Sequence, residues 1–149
     1  MGRGASVRTH VTFRHPAPWV VLSDDDGILS IDGAGWFIGL LKRIEGLAIA
    51  AELIQEDWGV LVPVARAGKS FFIGLSFWVD GGDHAWLAHA SHDGLLQRLL
   101  PTADGDLRRL LSDLHQALAT EPAVSAAMWY AEKALMKWPL DGAATPDEA

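Results

Sequence analysis

The chain has 149 residues, no cysteine, and 19 acidic against 12 basic residues, which gives a formal net charge of −7. The lack of cysteine excludes disulfide scaffolds, thiolate metal centres and cysteine nucleophiles. Nucleic-acid binders neutralise phosphates with a basic surface, so the acidic balance predicts no nucleic-acid partner. Half of the residues are apolar, which is enough for one buried core at this length.

The chain carries no secretion signal, and its one membrane signal is the match of Met1-Gly2-Arg3-Gly4-Ala5-Ser6 to the permissive N-myristoylation pattern, which alone binds a membrane only marginally. No apolar run reaches the roughly 20 residues of a membrane-spanning helix, and residues 1–15 lack the apolar core of a signal peptide. We therefore expect no membrane association and a cytoplasmic location. Without an internal repeat or a linker, residues 1–140 are predicted to form a single domain, followed by a disordered acidic tail over residues 141–149.

The first third of the chain predicts a strand, a helix and a second strand. Alternating apolar residues predict a strand over residues 7–13, placed at a sheet edge because Pro16 and Pro18 follow it. Apolar residues at helical spacing predict a helix from Ala34 to about Glu45. Residues 49–54 are assigned to a strand, with a continuation of the helix as the alternative.

The centre of the chain predicts three antiparallel strands, joined by two-residue turns at Ala67-Gly68 and Gly81-Gly82. The strands are assigned to residues 58–66, 70–79 and 84–91. This register pairs Val62 with Ile73 and Ile73 with Ala90, which collects the apolar residues on one face. A slip of one residue would move them to the other face, so the register is well specified.

The same register places three aromatic residues, Trp58, Phe77 and Trp86, in one row across the apolar face. The opposite face has the small residues Gly74 and Ser76 in its middle. Such a face is either a shallow groove or a place where a helix packs closely, and glycine within a strand favours close packing.

The last third of the chain predicts helices. Asp93 suits the start of a short helix, and a leucine stripe predicts an amphipathic helix over residues 107–118. Pro122 suits the first turn of a last helix that runs to Lys137. The predicted fold is therefore α+β, a single-domain antiparallel β-meander with helices packed mainly on one face.

Two glycine-containing segments resemble nucleotide-binding motifs but lack required residues. Gly33-Ala34-Gly35 precedes the first predicted helix, yet Ile38 stands where a dinucleotide-binding fingerprint needs its third glycine. Gly68-Lys69-Ser70 resembles the end of a phosphate loop, yet Pro63 stands where the first glycine belongs. We expect no cofactor.

Histidines supply the other candidate chemistry. His84 and His89 fall on opposite faces of one strand, so only His89, His92 and Asp93 could converge. A catalytic zinc site usually takes three protein ligands and a water, and no second cluster completes this one. Ser76 and Ser91 lack the sequence of a nucleophile turn. We expect neither a metal site nor catalytic residues.

Acidic residues cluster at the ends of neighbouring predicted strands, close to Trp58. Solvated turn residues would explain this pattern, and so would a surface that binds a basic partner, because aromatic residues are enriched in interfaces and acidic ones steer a cationic partner. The residues predicted to bind a partner are Glu56, Asp57, Trp78, Asp80 and Asp83.

The segment Glu56-Asp57-Trp58-Gly59, followed by an apolar strand and by Phe72-Ile73-Gly74-Leu75, resembles a group of small bacterial proteins that contain an "EDWG" segment. Trp86 and the leucine-rich stretch 107–118 extend the likeness, which covers residues 34–130. These proteins are similar to immunity proteins of contact-dependent growth inhibition and related polymorphic toxin systems. The resemblance implies a cytoplasmic protein that binds and blocks one cognate toxin domain without catalysis, and it identifies no binding residues.

Two other functions remain open from the sequence. A secretion-chaperone-like binder would also be small, acidic and α+β. A small hydrolase or ligand-binding domain would use the face that carries Ser76, Trp78 and His89.

Overall fold

The computed structural model describes residues 8–17, 34–56, 58–80, 83–93, 103–131 and 143–146. Within these ranges, seven antiparallel strands form one sheet, and two helices accompany it. The α+β class and the β-meander predicted from the sequence are confirmed.

The strands are β1 (His10–Arg14), β2 (Ala48–Ile49), β3 (Ile54–Glu56), β4 (Gly59–Arg66), β5 (Lys69–Asp80), β6 (Asp83–His92) and β7 (Ser125–Tyr130). The helices are α1 (Gly35–Leu41) and α2 (Ala103–Thr120). Across the sheet the order is β2-β4-β5-β6-β1-β7, and β3 pairs with β4 on the same side as β2.

The central meander of β4, β5 and β6 has the predicted register. Val62 pairs with Ile73, and Ile73 pairs with Ala90. Ala67 and Gly68 in the first turn have φ angles of +52° and +81°. Two successive positive φ angles are typical of a type I′ turn, whose twist matches that of the flanking strands.

One face of the sheet forms the core together with both helices. α1 contributes Phe37, Leu40 and Leu41, and α2 contributes a leucine stripe that begins at Leu107. The sheet residues buried with them are Val11, Phe13, Val60, Val62, Val64, Phe71, Ile73, Leu75, Trp86, Ala88, Ala90 and Trp129. The other face, which carries the alternate residues of each strand, is called the second face below.

The prediction that the first strand lies at a sheet edge is wrong. β1 runs between β6 and β7, because His10 pairs with His89 on one side and with Tyr130 on the other. The strand ends at Arg14, before Pro16. The proline therefore marks the end of the strand and gives no information on its position in the sheet.

The last predicted helix is also wrong where the structure describes it. Ser125–Tyr130 form β7, and Trp129 in this strand is fully buried. Ala126 has a φ angle of +55°, at the position where the pairing of β1 with β7 shifts register. Pairing with β1 and the burial of Trp129 outweigh the helical signal of Pro122 and the alanines.

The segment between α1 and β4 differs from the prediction as well. α1 ends at Leu41, four residues before the predicted end near Glu45. The predicted strand over residues 49–54 is replaced by the short strands β2 and β3, which pair with different parts of β4. The backbone N–H of Ala50 donates to the carbonyl of Pro63, so β4 also bonds the residue that follows β2.

Residues 143–146, which belong to the segment predicted as a disordered tail, contact the sheet and the start of the chain. Ala143 and Trp129 exchange two backbone hydrogen bonds of 2.6 and 2.8 Å. The N–H of Arg8 donates to the carbonyl of Pro146 at 2.7 Å. The short helix predicted to start at Asp93 lies outside the described residues.

Candidate functional site

Two turns lie at the same end of the sheet, one of them farther out than the other, and we call this end the acidic end. One turn connects β3 to β4, where Glu56 pairs with Gly59. The other connects β5 to β6, where Asp80 pairs with Asp83. Because β4 and β5 are antiparallel neighbours, the start of β4 and the end of β5 fall at the same end of the sheet.

The β5–β6 hairpin extends beyond both neighbouring strands. β5 pairs with β4 up to Leu75 and then continues through residues 76–80. β6 pairs with β1 from Trp86 onward, although it begins at Asp83. On the β4 side the hairpin is unpaired from residue 76 onward, and on the β1 side it is unpaired up to residue 85. The part that projects past both neighbours is residues 78–80 with 83–85, which at roughly 3.3 Å per residue is about 10 Å long. We call residues 76–80 and 83–85 the ribbon.

The structure brings several of the predicted partner-binding residues to the acidic end. Trp78 pairs with Ala85, and Asp80 pairs with Asp83, both within the ribbon. Glu56 is half-buried at the base of the ribbon, in β3. Asp57, and with it the predicted pairing of Asp57 with Trp78, lies outside the described residues.

Trp58 does not lie in the core row predicted from the register. Its side chain is 39% exposed, and its ring lies 5.4 Å from the ring of His89 on the second face. The chain has already turned here, because Glu56 pairs with Gly59. Gly59 then approaches β5 so closely that a Cβ added to it would lie 3.0 Å from the Cβ of Ser76.

On the second face, the ring of His89 lies between two other rings. It stacks on His10 with 5.0 Å between ring centroids and 15° between ring planes, and Trp58 lies on its other side. The space above Gly74 is filled by this imidazole, since a Cβ on Gly74 would lie 2.7 Å from Nε2 of His89. Close packing at Gly74 is observed, and within the described residues the imidazole of His89 provides it.

A cavity of about 310 Å³ lies beside this stack. Its lining residues include Thr9, His10, Ser91, His92 and Leu107. The Oγ1 of Thr9 and the Nδ1 of His10 share a hydrogen bond of 2.8 Å. Burial lowers the pKa of His10 from its ordinary value of 6.5 and so favours the neutral imidazole. Within the described part of the chain, no three histidine or carboxylate side chains come close enough to hold a metal.

A second histidine contact, between His15 and Trp36, could not be predicted from the sequence. The ring of His15 stacks on Trp36 at 3.9 Å, and Trp36 also meets Trp86 edge-on at 5.0 Å. Burial lowers the pKa of His15, and the charge of Glu121 opposes that shift. No sequence pattern links His15 with Trp36, because the contact depends on where α1 packs against β1.

Basic residues lie at the other end of the central meander and are paired with acids of α2. Arg66 at the end of β4 forms an ion pair with Asp113. Lys69 at the start of β5 lies 2.5 Å from Asp106. Positive charge next to the β4–β5 turn is therefore neutralised locally, whereas Glu56, Asp80 and Asp83 gather at the acidic end.

Comparisons with known proteins give no relative: no family model, no curated protein and no solved structure matches the chain. No helix within the described ranges is both long and apolar enough to cross a membrane.

Proposed function

We propose that this protein is a non-enzymatic inhibitor that binds a basic protein through its acidic end. The observation that carries the proposal is the ribbon, which projects past β4 and β1 and ends in the pair of Asp80 and Asp83. A projecting element with acidic residues at its end is suited to enter a cationic cleft, and the net charge of −7 steers a basic partner towards it.

The pair of acids at the end of the ribbon supports this assignment. Like charges directly opposite each other on adjacent strands destabilise the pairing. Aspartate is also a common turn residue, so each acid alone needs no further explanation. Asp80 and Asp83 occupy facing positions of the two strands, so a lysine or arginine of a partner would offset two like charges at one place in the chain.

The histidines on the second face favour a structural role over a catalytic one. His89 is held over Gly74 between Trp58 and His10, and the Nδ1 of His10 is engaged by Thr9. Rings held in this way contribute packing to the face on which a hydrolase would have placed its reacting groups. A binding function is therefore better supported than the function of a small hydrolase.

We further propose, from the resemblance to immunity proteins, that the partner is a toxin domain and that binding takes place in the cytoplasm. A toxin nuclease carries a cationic site for its substrate, and carboxylates can occupy that site in place of phosphates. The acidic end would then block the toxin by covering its substrate cleft.

The test is a charge reversal at the acidic end, measured against a cognate toxin domain identified from the neighbouring gene. The variant is Glu56→Lys with Asp80→Lys. The control is Glu45→Lys with Glu52→Lys, which changes the net charge equally at two exposed residues outside the acidic end. We expect the test variant to associate at least tenfold more slowly and to lose most of its salt dependence, while the control binds nearly as the wild type does.

Equal effects of the two variants would show that only net charge matters and would reject the acidic end as the site. Unchanged binding of a folded test variant would place the interface elsewhere. Failure of the wild-type protein to protect cells that express the toxin domain would reject the inhibitor assignment and favour a chaperone.

A further inference from the structure

The backbone hydrogen bonds of β5 alternate between its two neighbours. In an antiparallel pair, every second residue exchanges both of its backbone hydrogen bonds with the facing strand. The N–H of Asp93 donates to the carbonyl of Ser70 at 3.1 Å, so even-numbered residues of β5 bond to β6. The two-residue turn between Arg66 and Lys69 assigns the odd-numbered residues to β4.

This alternation leaves two residues of the ribbon with outward-facing backbone groups. Pairing with β4 stops at Leu75, so the N–H and C=O of Phe77 and Val79 point to a side where the described residues provide no strand. Trp78 and Asp80 bond inward to β6. The outer side of residues 76–80, which we call the ribbon edge, therefore presents two donors and two acceptors in the spacing of a strand.

We propose that the ribbon edge binds an extended segment of a basic protein, which adds to the sheet as a further strand beside β5. This inference rests on the proposed function and specifies how the partner is held. Strand addition supplies affinity through the backbone, and side chains at alternate positions supply selectivity. The acidic end would thus orient the partner as well as attract it.

Strand pairing selects the edge, and the distribution of charge selects its occupant. On the opposite side of the ribbon, β6 pairs with β1 from Trp86 onward, so the unpaired edge there is shorter. Glu56 lies at the base of the ribbon edge and Asp80 at its tip. A second copy of this chain would bring Asp80 against acids of its own kind, so a lysine- or arginine-bearing strand is the better fit.

Amide hydrogen exchange in the free protein tests the first step. We expect the N–H groups of Phe77 and Val79 to exchange at least tenfold faster than those of Trp78 and Asp80, because only the latter are bonded within the ribbon. Equal protection of all four amides would show that the edge is already covered and would overturn the proposal.

A defined probe tests the second step. The probe is the capped hexapeptide Lys-Val-Lys-Val-Lys-Val, added to isotopically labelled protein, and its control is the same peptide with N-methylated valines. We expect the first peptide to slow exchange at Phe77 and Val79 severalfold, and the methylated peptide, which retains the charge but has fewer donors, to have little effect. Equal effects of both peptides would indicate charge attraction alone and would reject strand addition.

The substitution Val79→Pro separates this inference from the proposed function. It removes one outward N–H without removing a hydrogen bond of the ribbon, and Val79→Ala is its matched control. We expect Val79→Pro to weaken binding of the toxin domain at least tenfold, and Val79→Ala to weaken it less than threefold. If the folded proline variant binds as the wild type does while Glu56→Lys with Asp80→Lys still slows association, strand addition is rejected and the acidic end is retained. If neither change affects binding, both proposals fail.

Discussion

The imidazole of His89 lies directly over the backbone of Gly74, on the face of the sheet opposite the helices. Gly74 and His89 are cross-strand partners, so the absence of a side chain on β5 is what lets the β6 side chain lie flat. His10 and Trp58 then hold the ring from its two sides. One glycine thereby links β1, β5, β6 and the turn before β4.

The first prediction concerns this glycine. Gly74→Ala should lower the free energy of unfolding by about 1–3 kcal/mol, because the new methyl group meets the ring of His89 and forces it to move. Urea denaturation measures the effect. In a His89→Ala background the same change should cost much less, since the colliding ring is gone. Equal costs in both backgrounds would show that His89 does not occupy this space.

The second prediction concerns the turn between β4 and β5. Ala67 has a φ angle of +52°, which costs energy for an alanine and little for an asparagine. Ala67→Asn should therefore raise the free energy of unfolding by about 0.5–1 kcal/mol. Ala48→Asn, an exposed change in β2 where φ is not positive, serves as the control and should give no gain. A loss of stability in Ala67→Asn would argue against the type I′ turn.

The third prediction tests the packing of α2 on the sheet. Leu111 is fully buried, so Leu111→Ala should cost about 2–5 kcal/mol of unfolding free energy. Its neighbour Ser112 is exposed, and Ser112→Ala should change stability by less than about 0.5 kcal/mol. Thermal and chemical denaturation of the two variants provide the comparison. Similar costs at both positions would contradict the orientation of the helix.

The fourth prediction concerns pH. Burial lowers the pKa of His10 in the folded protein, so the unfolded chain takes up this proton first as the pH falls through 6.5. The contribution of His10 to the free energy of unfolding is fully present above pH 6.5. It decreases as the pH falls below 6.5, and the decrease ends once the pH is below the lower pKa of the folded state. Urea denaturation between pH 7.5 and 5 should show a shallower decline for His10→Gln than for the wild type. Parallel curves would contradict the assignment.

The sequence predicts the central meander well because its signals are local. Apolar and polar residues alternate strictly along these strands, and two-residue turns are predicted at Ala67-Gly68 and Gly81-Gly82. Only one register satisfies both conditions, and it buries Val62, Ile73 and Ala90 on one face. The start of β4 is different. The alternation extends back to Trp58, but the strand begins one residue later at Gly59, which lies so close to β5 that a side chain would not fit there.

The last strand, β7, could not be predicted because its signals are not local. Residues 125–130 contain three alanines or serines and have no strand alternation, so their helical propensity dominates the prediction. Their conformation depends on β1, more than 100 residues earlier in the chain, which pairs with them and buries Trp129. The ribbon was visible in the sequence as a hairpin, but its projection depends on where β4 and β1 stop.

The position of β1 in the sheet has a consequence for how the chain folds as it is synthesised. Among the described strands β1 is synthesised first, yet its two partners are β6 and β7, which are synthesised last. The hairpins β4–β5 and β5–β6 can form early from local contacts, whereas β1 must wait with Val11 and Phe13 exposed. Closure of the sheet by β1 and β7 is therefore expected to be the late, slow step, and the interval before it is when the nascent chain most needs protection from aggregation.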